Sequence, residues 1–113
     1  MIGDPTRLVI RSRFPRLSAA EVAPFRDRST SFLVDAMNGR GALHHAIKPL
    51  DPTTLLLGSA LTARAGARDN LAAIAALDLI EPGDVLVIAT QGFEHTATLG
   101  DNMAPRSAPR PGW

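Results

Sequence analysis

The reading of the fold turns on residues 55–88, LLLGSALTARAGARDNLAAIAALDLIEPGDVLVI. Leu55 to Ala63 opens as a continuous apolar run, the pattern of a strand buried on both faces. Gly58, Ser59 and Ala60 are small and let a neighbouring element approach the backbone closely. Arg68-Asp69-Asn70 then leads into a helix from Leu71 to about Leu79, with Asp69 as its cap. Leu71, Ile74, Ala75 and Leu79 recur at helical spacing and form its expected buried stripe. Glu81-Pro82-Gly83-Asp84 puts Pro and Gly at the two central places of a type II turn. Val85 to Ile88 follows as a second buried strand. Strand, helix, tight turn and strand in that order make this an α/β chain with a βαβ-like core.

Downstream, residues 85–103 (VLVIATQGFEHTATLGDNM) pass from that second strand into a polar loop carrying Gly92, Glu94 and His95. They reach Leu99-Gly100-Asp101-Asn102-Met103, where a new helix is expected to begin. A strand, a polar loop and a helix start present free backbone N–H groups to an anionic ligand.

Upstream, residues 1–17 read as an extended arm. Leu8-Val9-Ile10 is the only strand-like run there, and Pro5, Pro15, Arg11, Arg13 and Arg16 surround it. Ser18 and Glu21 have capping-box spacing, which predicts a short helix ending before Arg28. Ser29 or Thr30 starts a second helix, with Phe32, Leu33, Ala36 and Met37 on one apolar face and Asn38-Gly39 as a left-handed stop. Asp35 belongs at the surface or at a cap. Residues 40–54 form a connector. His44 and His45 are adjacent, so in an extended chain they face opposite ways, and no third ligand stands at a suitable spacing. No metal site is expected from them.

A chain of 113 residues with a formal net charge of +1 holds one domain at most and gives no electrostatic case for direct nucleic-acid binding. It contains no cysteine, so neither a disulfide framework nor a thiolate metal site is open to it. The first residues lack an apolar leader and charges interrupt every candidate span, which argues against a membrane and for a cytoplasmic setting.

In order and spacing, Ser29 to Gly39 (STSFLVDAMNG), Pro49-Leu50, Gly58 to Thr62, Arg68-Asp69-Asn70, Pro82 to Val87 and Leu99 to Ala104 resemble the RraA-like family. That family includes 4-hydroxy-4-methyl-2-oxoglutarate aldolases with oxaloacetate decarboxylase activity, and the regulator of ribonuclease activity A. The resemblance covers residues 18–104 and about the first half of a family domain. It implies the N-terminal part of a swivelling β/β/α-type domain, preceded by the arm and followed by an irregular Pro/Arg-rich tail over residues 105–113.

By the same resemblance, the backbone amides of Gly100, Asp101, Asn102 and Met103 hold the pyruvyl group of a small 2-oxo acid. Asp101 is the catalytic candidate, a carboxylate that positions a water for proton transfer. Glycine at 100 lets a substrate carboxylate approach the backbone closely. Family aldolases use a divalent metal, Mg or Mn, as a Lewis acid on the developing enolate, and they form trimers. The metal-side Asp and its neighbouring substrate-gripping Arg belong to a Gly-x-x-Arg-Asp motif some twenty residues beyond the loop. No Arg-Asp pair follows Met103 here, so no metal ligand is assigned. Two further departures are Ala89, where family members often carry Asp at the strand end, and the unmatched loop from Gln91 to His95.

Pro105 is tolerated in a first helical turn, but Pro109 and Pro111 forbid a regular helix beyond it. Its composition leads to the expectation of a frameshift or gene truncation after about Ala104, with a genuine short paralogue as the alternative. The function expected from the resemblance is metal-dependent retro-aldol cleavage to two pyruvates by a catalytically incomplete lyase. A non-catalytic interaction module of the ribonuclease-regulator kind is the alternative.

Overall fold

The computed structural model describes residues 8–100 and Met103. These fall into two compact units, one of residues up to Arg16 together with Ser59 onward, the other Leu17–Gly58.

The first unit is built on the expected βαβ arrangement. Strand β1 (Ser59–Arg64) and strand β2 (Asp84–Ala89) pair in parallel, and helix α3 (Leu71–Leu77) lies between them in the chain. Helices α1 (Ala19–Val22) and α2 (Thr30–Ala36) precede them in the other unit. The register runs from Ser59 opposite Asp84 to Arg64 opposite Ala89. The Ser59 N–H donates to the Gly83 carbonyl at 3.0 Å, and the Ala65 N–H to the Ala89 carbonyl at 2.8 Å, so pairing reaches one residue before β2 and one residue past β1. The turn before β2 closes as the sequence requires. The Asp84 N–H donates to the Glu81 carbonyl, and Gly83 takes φ +87°, which a side chain would strain.

Four alanines in seven residues give α3 high intrinsic helix propensity. At its C-terminus the Asp78 and Leu79 N–H groups donate to the Ala75 and Ala76 carbonyls, a tightened last turn. The helix buries Ala73, Ala76 and Leu77 and packs on β1, where Leu61 and the following Ala65 are also buried. This corrects the expected stripe. Leu71 is 43% exposed, and Leu71, Ala75 and Leu79 border an open cleft of about 660 Å³ together with Leu8, Ile10 and Phe14. Spacing alone favours the bulky face, but close approach to β1 selects the alanine face.

The strand expectations need two corrections. The first strand starts at Ser59 rather than Leu55, and Leu55 and Leu56 are exposed. The tight turn fixes the start of β2 at Asp84, opposite Ser59, so residues 55–58 have no strand to pair with. The second strand is half-buried rather than buried, with Val87 and Ala89 exposed. Among the described residues the sheet has only two strands, and α3 covers chiefly β1.

Within Leu17–Gly58 the capping box forms. The Ser18 Oγ accepts from the Glu21 N–H at 3.3 Å, and the Glu21 carboxylate accepts from the Ser18 N–H at 2.8 Å. A 3₁₀ turn over Ala23–Phe25 ends this helical stretch before Arg28, as expected. Helix α2 begins after Ser29, whose hydroxyl pairs with that of Ser31 instead of capping the backbone. It ends at Asn38 (φ +56°) and Gly39 (φ +77°), and the Gly39 N–H reaches back to the Val34 carbonyl at 2.9 Å. That is the Schellman closure. The apolar face expected at Phe32, Leu33, Ala36 and Met37 is not a buried one, since neither α1 nor α2 buries a residue. No strand among the described residues of this unit offers it a second layer. Asp35 is exposed.

Candidate functional site

Parallel pairing brings the carboxyl ends of β1 and β2 to one edge, and the loops leaving them meet there. After β1 the Asp69 N–H donates to the Gly66 carbonyl at 3.2 Å, closing a turn whose third residue, Arg68, has φ +60°. Left-handed backbone at that position normally calls for Gly or Asn. The Asp69 Oδ1 accepts from the Leu71 N–H at 2.9 Å. Asp69 therefore supplies the expected capping oxygen, although Asn70 occupies the N-cap position itself.

After β2 the Phe93 N–H donates to the Thr90 carbonyl at 3.0 Å. Gln91 (φ +57°) and Gly92 (φ +74°) are two successive left-handed residues, the signature of a type I′ turn. This turn aims Phe93 at the first loop. The Arg68 guanidinium carbon lies 5.7 Å from the Phe93 ring centroid, within cation–π range. His95 meets the same ring edge-on at 5.5 Å. Between the loops lies a small cleft of about 140 Å³, lined by Gly66, Arg68, Asn70, Thr90, Thr96 and Thr98 among others. Its lining combines hydroxyl, amide and guanidinium groups with the Asp69 carboxylate, of which Oδ1 is bound to the Leu71 N–H. The arrangement suits a small polar anion.

The residues singled out from sequence stand just beyond this cleft in the chain. Gly100 is exposed, and nothing described lies within 4 Å of the place a Cβ would take. The Met103 N–H donates to the Gly100 carbonyl at 3.0 Å, closing a single turn, and Met103 is half-buried. Asp101 and Asn102 lie outside the described residues, as do Ala104 and the tail.

Nothing in the sequence marks Arg68, Phe93 and His95 as a site. Arg68-Asp69 precedes a helix like any capping sequence, and the Gln91–His95 loop has no motif. The physical signal is the pair of left-handed turns, which single-sequence spacing does not reveal.

His44 and His45 lie in the expected connector, but their rings lie side by side with centroids 4.2 Å apart rather than facing opposite ways. Loop backbone removes the alternation that would have sent them to opposite faces. The His44 Nδ1 accepts from the Ala46 N–H at 3.2 Å. Among the described residues no three His, Cys, Asp or Glu side chains stand together as metal ligands. The described donor set does not fit a divalent cation.

Comparison with known proteins adds three findings. The model of the RraA-like family (Aldolase/RraA) matches residues 30–113. A protein of Halalkalibacterium halodurans named "Putative 4-hydroxy-4-methyl-2-oxoglutarate aldolase" is 36% identical over 88 residues, covering 75% of this chain and 42% of that relative. The chain thus spans less than half the length of the curated relative it matches. No solved structure matches it.

Proposed function

This chain belongs to the RraA-like family, and on that footing we propose that it carries the 2-oxo-acid-holding part of a lyase that cleaves 4-hydroxy-4-methyl-2-oxoglutarate. The observation that carries the reading is the parallel β1–α3–β2 unit. It sends the loop holding Gly100 away from a strand's carboxyl end, where open α/β sheets bind ligands.

In the reaction a base accepts the C4 hydroxyl proton, the C3–C4 bond breaks, and its electron pair passes into a pyruvate enolate. Return of a proton to C3 gives the second pyruvate. Oxaloacetate decarboxylation releases CO₂ and reaches the same enolate. In this chain the amides around Gly100 to Met103 hold the pyruvyl carboxylate, and Asp101 positions the water that relays the proton. The described residues do not fit a metal, so no step here is assigned to one. No Arg-Asp pair like that of family aldolases follows Met103 within the 113 residues.

The test measures binding and turnover together on the 113-residue chain. Pyruvate and oxaloacetate are titrated with magnesium or manganese present, and pyruvate release from oxaloacetate is followed in parallel. The expected result is saturable 2-oxo acid binding that Asp101→Ala weakens, with any pyruvate release from oxaloacetate falling in the same variant. Absence of 2-oxo acid binding, or binding indifferent to Asp101→Ala, would sink the reading.

A further inference from the structure

Three features of the strand-end loops converge on Arg68. Its backbone is held at φ +60°, a conformation unfavourable for a side chain with a Cβ. Its guanidinium is propped on the Phe93 face at 5.7 Å, and among the described residues it makes no ion pair. It also lines the polar cleft between the loops, whose other wall ends at Thr98, two residues before Gly100. The nearest acid in sequence, Asp69, has its Oδ1 committed to the Leu71 N–H. Strain held in place at a cleft mouth, at an exposed arginine that makes no ion pair among the described residues, is the pattern of a preorganised ligand contact. A purely structural loop clasp accounts for the ring contact but gives no reason to keep arginine where glycine relieves the strain.

We propose that Arg68 is a specificity-determining residue that grips the distal carboxylate of a 2-oxo dicarboxylate, while the Gly100 loop takes the 2-oxo end. This rests on the 2-oxo acid reading above and deepens it. The Phe93 ring, 5.7 Å from the guanidinium carbon, braces the side chain, and a guanidinium can meet a carboxylate with two parallel N–H donors, a geometry lysine does not reproduce. The threonine hydroxyls supply further donors along the cleft. His95 packs edge-on against the same Phe93 ring, and Glu94 between them is exposed.

The test compares two acids of equal chain length, 2-oxoglutarate and 2-oxopentanoate, by calorimetric titration of the wild-type chain and of Arg68→Gly. Glycine suits the left-handed backbone, so this variant removes the guanidinium without a folding penalty. The wild type is expected to prefer 2-oxoglutarate by about tenfold, as a charge-assisted contact provides, and Arg68→Gly to lose that preference while keeping its affinity for 2-oxopentanoate. Arg68→Lys is expected to recover only part of the preference. Glutarate, which lacks the 2-oxo group, separates the two readings. If both 2-oxo acids bind and the preference is unchanged in Arg68→Gly, the Arg68 assignment falls and the 2-oxo acid site stands. If glutarate binds as tightly as 2-oxoglutarate and depends on Arg68, the carboxylate grip stands and the 2-oxo acid reading falls. If no acid binds, both fall.

Discussion

The Arg16 Nε donates to both carboxylate oxygens of Asp84 at 3.0 Å, and its Nη2 donates to the Leu79 carbonyl at 2.7 Å. One side chain thereby ties the arm to the end of α3 and to the first residue of β2. The Asp84 side chain is 1% exposed and also accepts from the Glu81 N–H at 2.9 Å. Arg16 further reaches Glu81 at 3.2 Å and stacks over Phe14 at 4.4 Å. Removing a partner from a buried carboxylate costs more than the pair contributes, because the remaining charge is left without compensation. Arg16→Ala should therefore lower unfolding free energy by about 3 kcal/mol, read from the urea midpoint at constant slope. Arg16→Lys should recover less than half, since an ammonium cannot serve Asp84 and Leu79 in the same planar geometry. A loss below about 0.5 kcal/mol would mark the contact as a surface pair of little weight.

The face that α3 buries can be tested by contrast. Leu77 is 5% exposed against the sheet, whereas Leu71 is 43% exposed at the wide cleft. Leu77→Ala should cost about 3 kcal/mol, transfer plus cavity, and Leu71→Ala less than about 1 kcal/mol. Ala73, fully buried, has no room to grow, and Ala73→Leu should cost about 2 kcal/mol through overpacking. Equal losses at Leu71 and Leu77 would return the helix to the face that the sequence spacing favours.

What was legible in the sequence is what local chemistry controls. Pro82-Gly83 fixes the turn and the start of β2, Ser18 and Glu21 fix the first helix, and Asn38-Gly39 stops the second. Each is decided within five residues. Facing was not legible, because Leu71 and Leu77 are equally apolar and only packing against β1 separates them. The extent of β1 failed for a similar reason: Leu55 and Leu56 read as strand, but pairing depends on a partner twenty-five residues away. At the candidate site, the meeting of loops at the strands' carboxyl ends follows from the element order alone. The Arg68–Phe93 contact needed two left-handed turns, at Arg68 and at Gln91-Gly92, that no motif announces.

Two exposed carboxylates set the acid response of Leu17–Gly58. Glu21 titrates below the usual glutamate value, chiefly because the Ser18 N–H donates to it and secondarily through the Ser18 hydroxyl. Asp51 is likewise lowered, first by the Thr53 hydroxyl, then by the Thr53 N–H and the Thr54 hydroxyl. A depressed folded-state pKa means that stabilisation is fully present above the unfolded value and is lost as pH falls through the folded one. The α1 cap and the Asp51 turn should therefore hold at neutral pH and loosen only below the ordinary carboxylate range. Carboxyl carbon shifts followed from pH 7 to pH 2 check this. Glu21→Gln should remove the acid step at α1 and leave that at Asp51 intact, and a step that survives at α1 would assign it to another group.

Edge exposure governs how the chain behaves at high concentration. Among the described residues β1 and β2 pair only with each other, so each strand presents one edge with no strand against it. Val87 on β2 is exposed, and Leu50, Leu55 and Leu56 add apolar surface outside any strand. Unpaired edges beside apolar side chains favour strand addition from another copy, while lysine on an edge opposes it. The weight-average mass in sedimentation equilibrium should rise with loading concentration, and Val87→Lys should shift that rise at least several-fold upward in concentration. Far-ultraviolet circular dichroism should be unchanged in the variant, because Val87 is not part of the buried set of Leu61, Ala65, Ala73, Ala76 and Leu77. A constant monomer mass across the range would show that the open edges are protected. Association indifferent to Val87→Lys would move the contact to the leucines of residues 50–56, where Leu56→Lys is the corresponding probe.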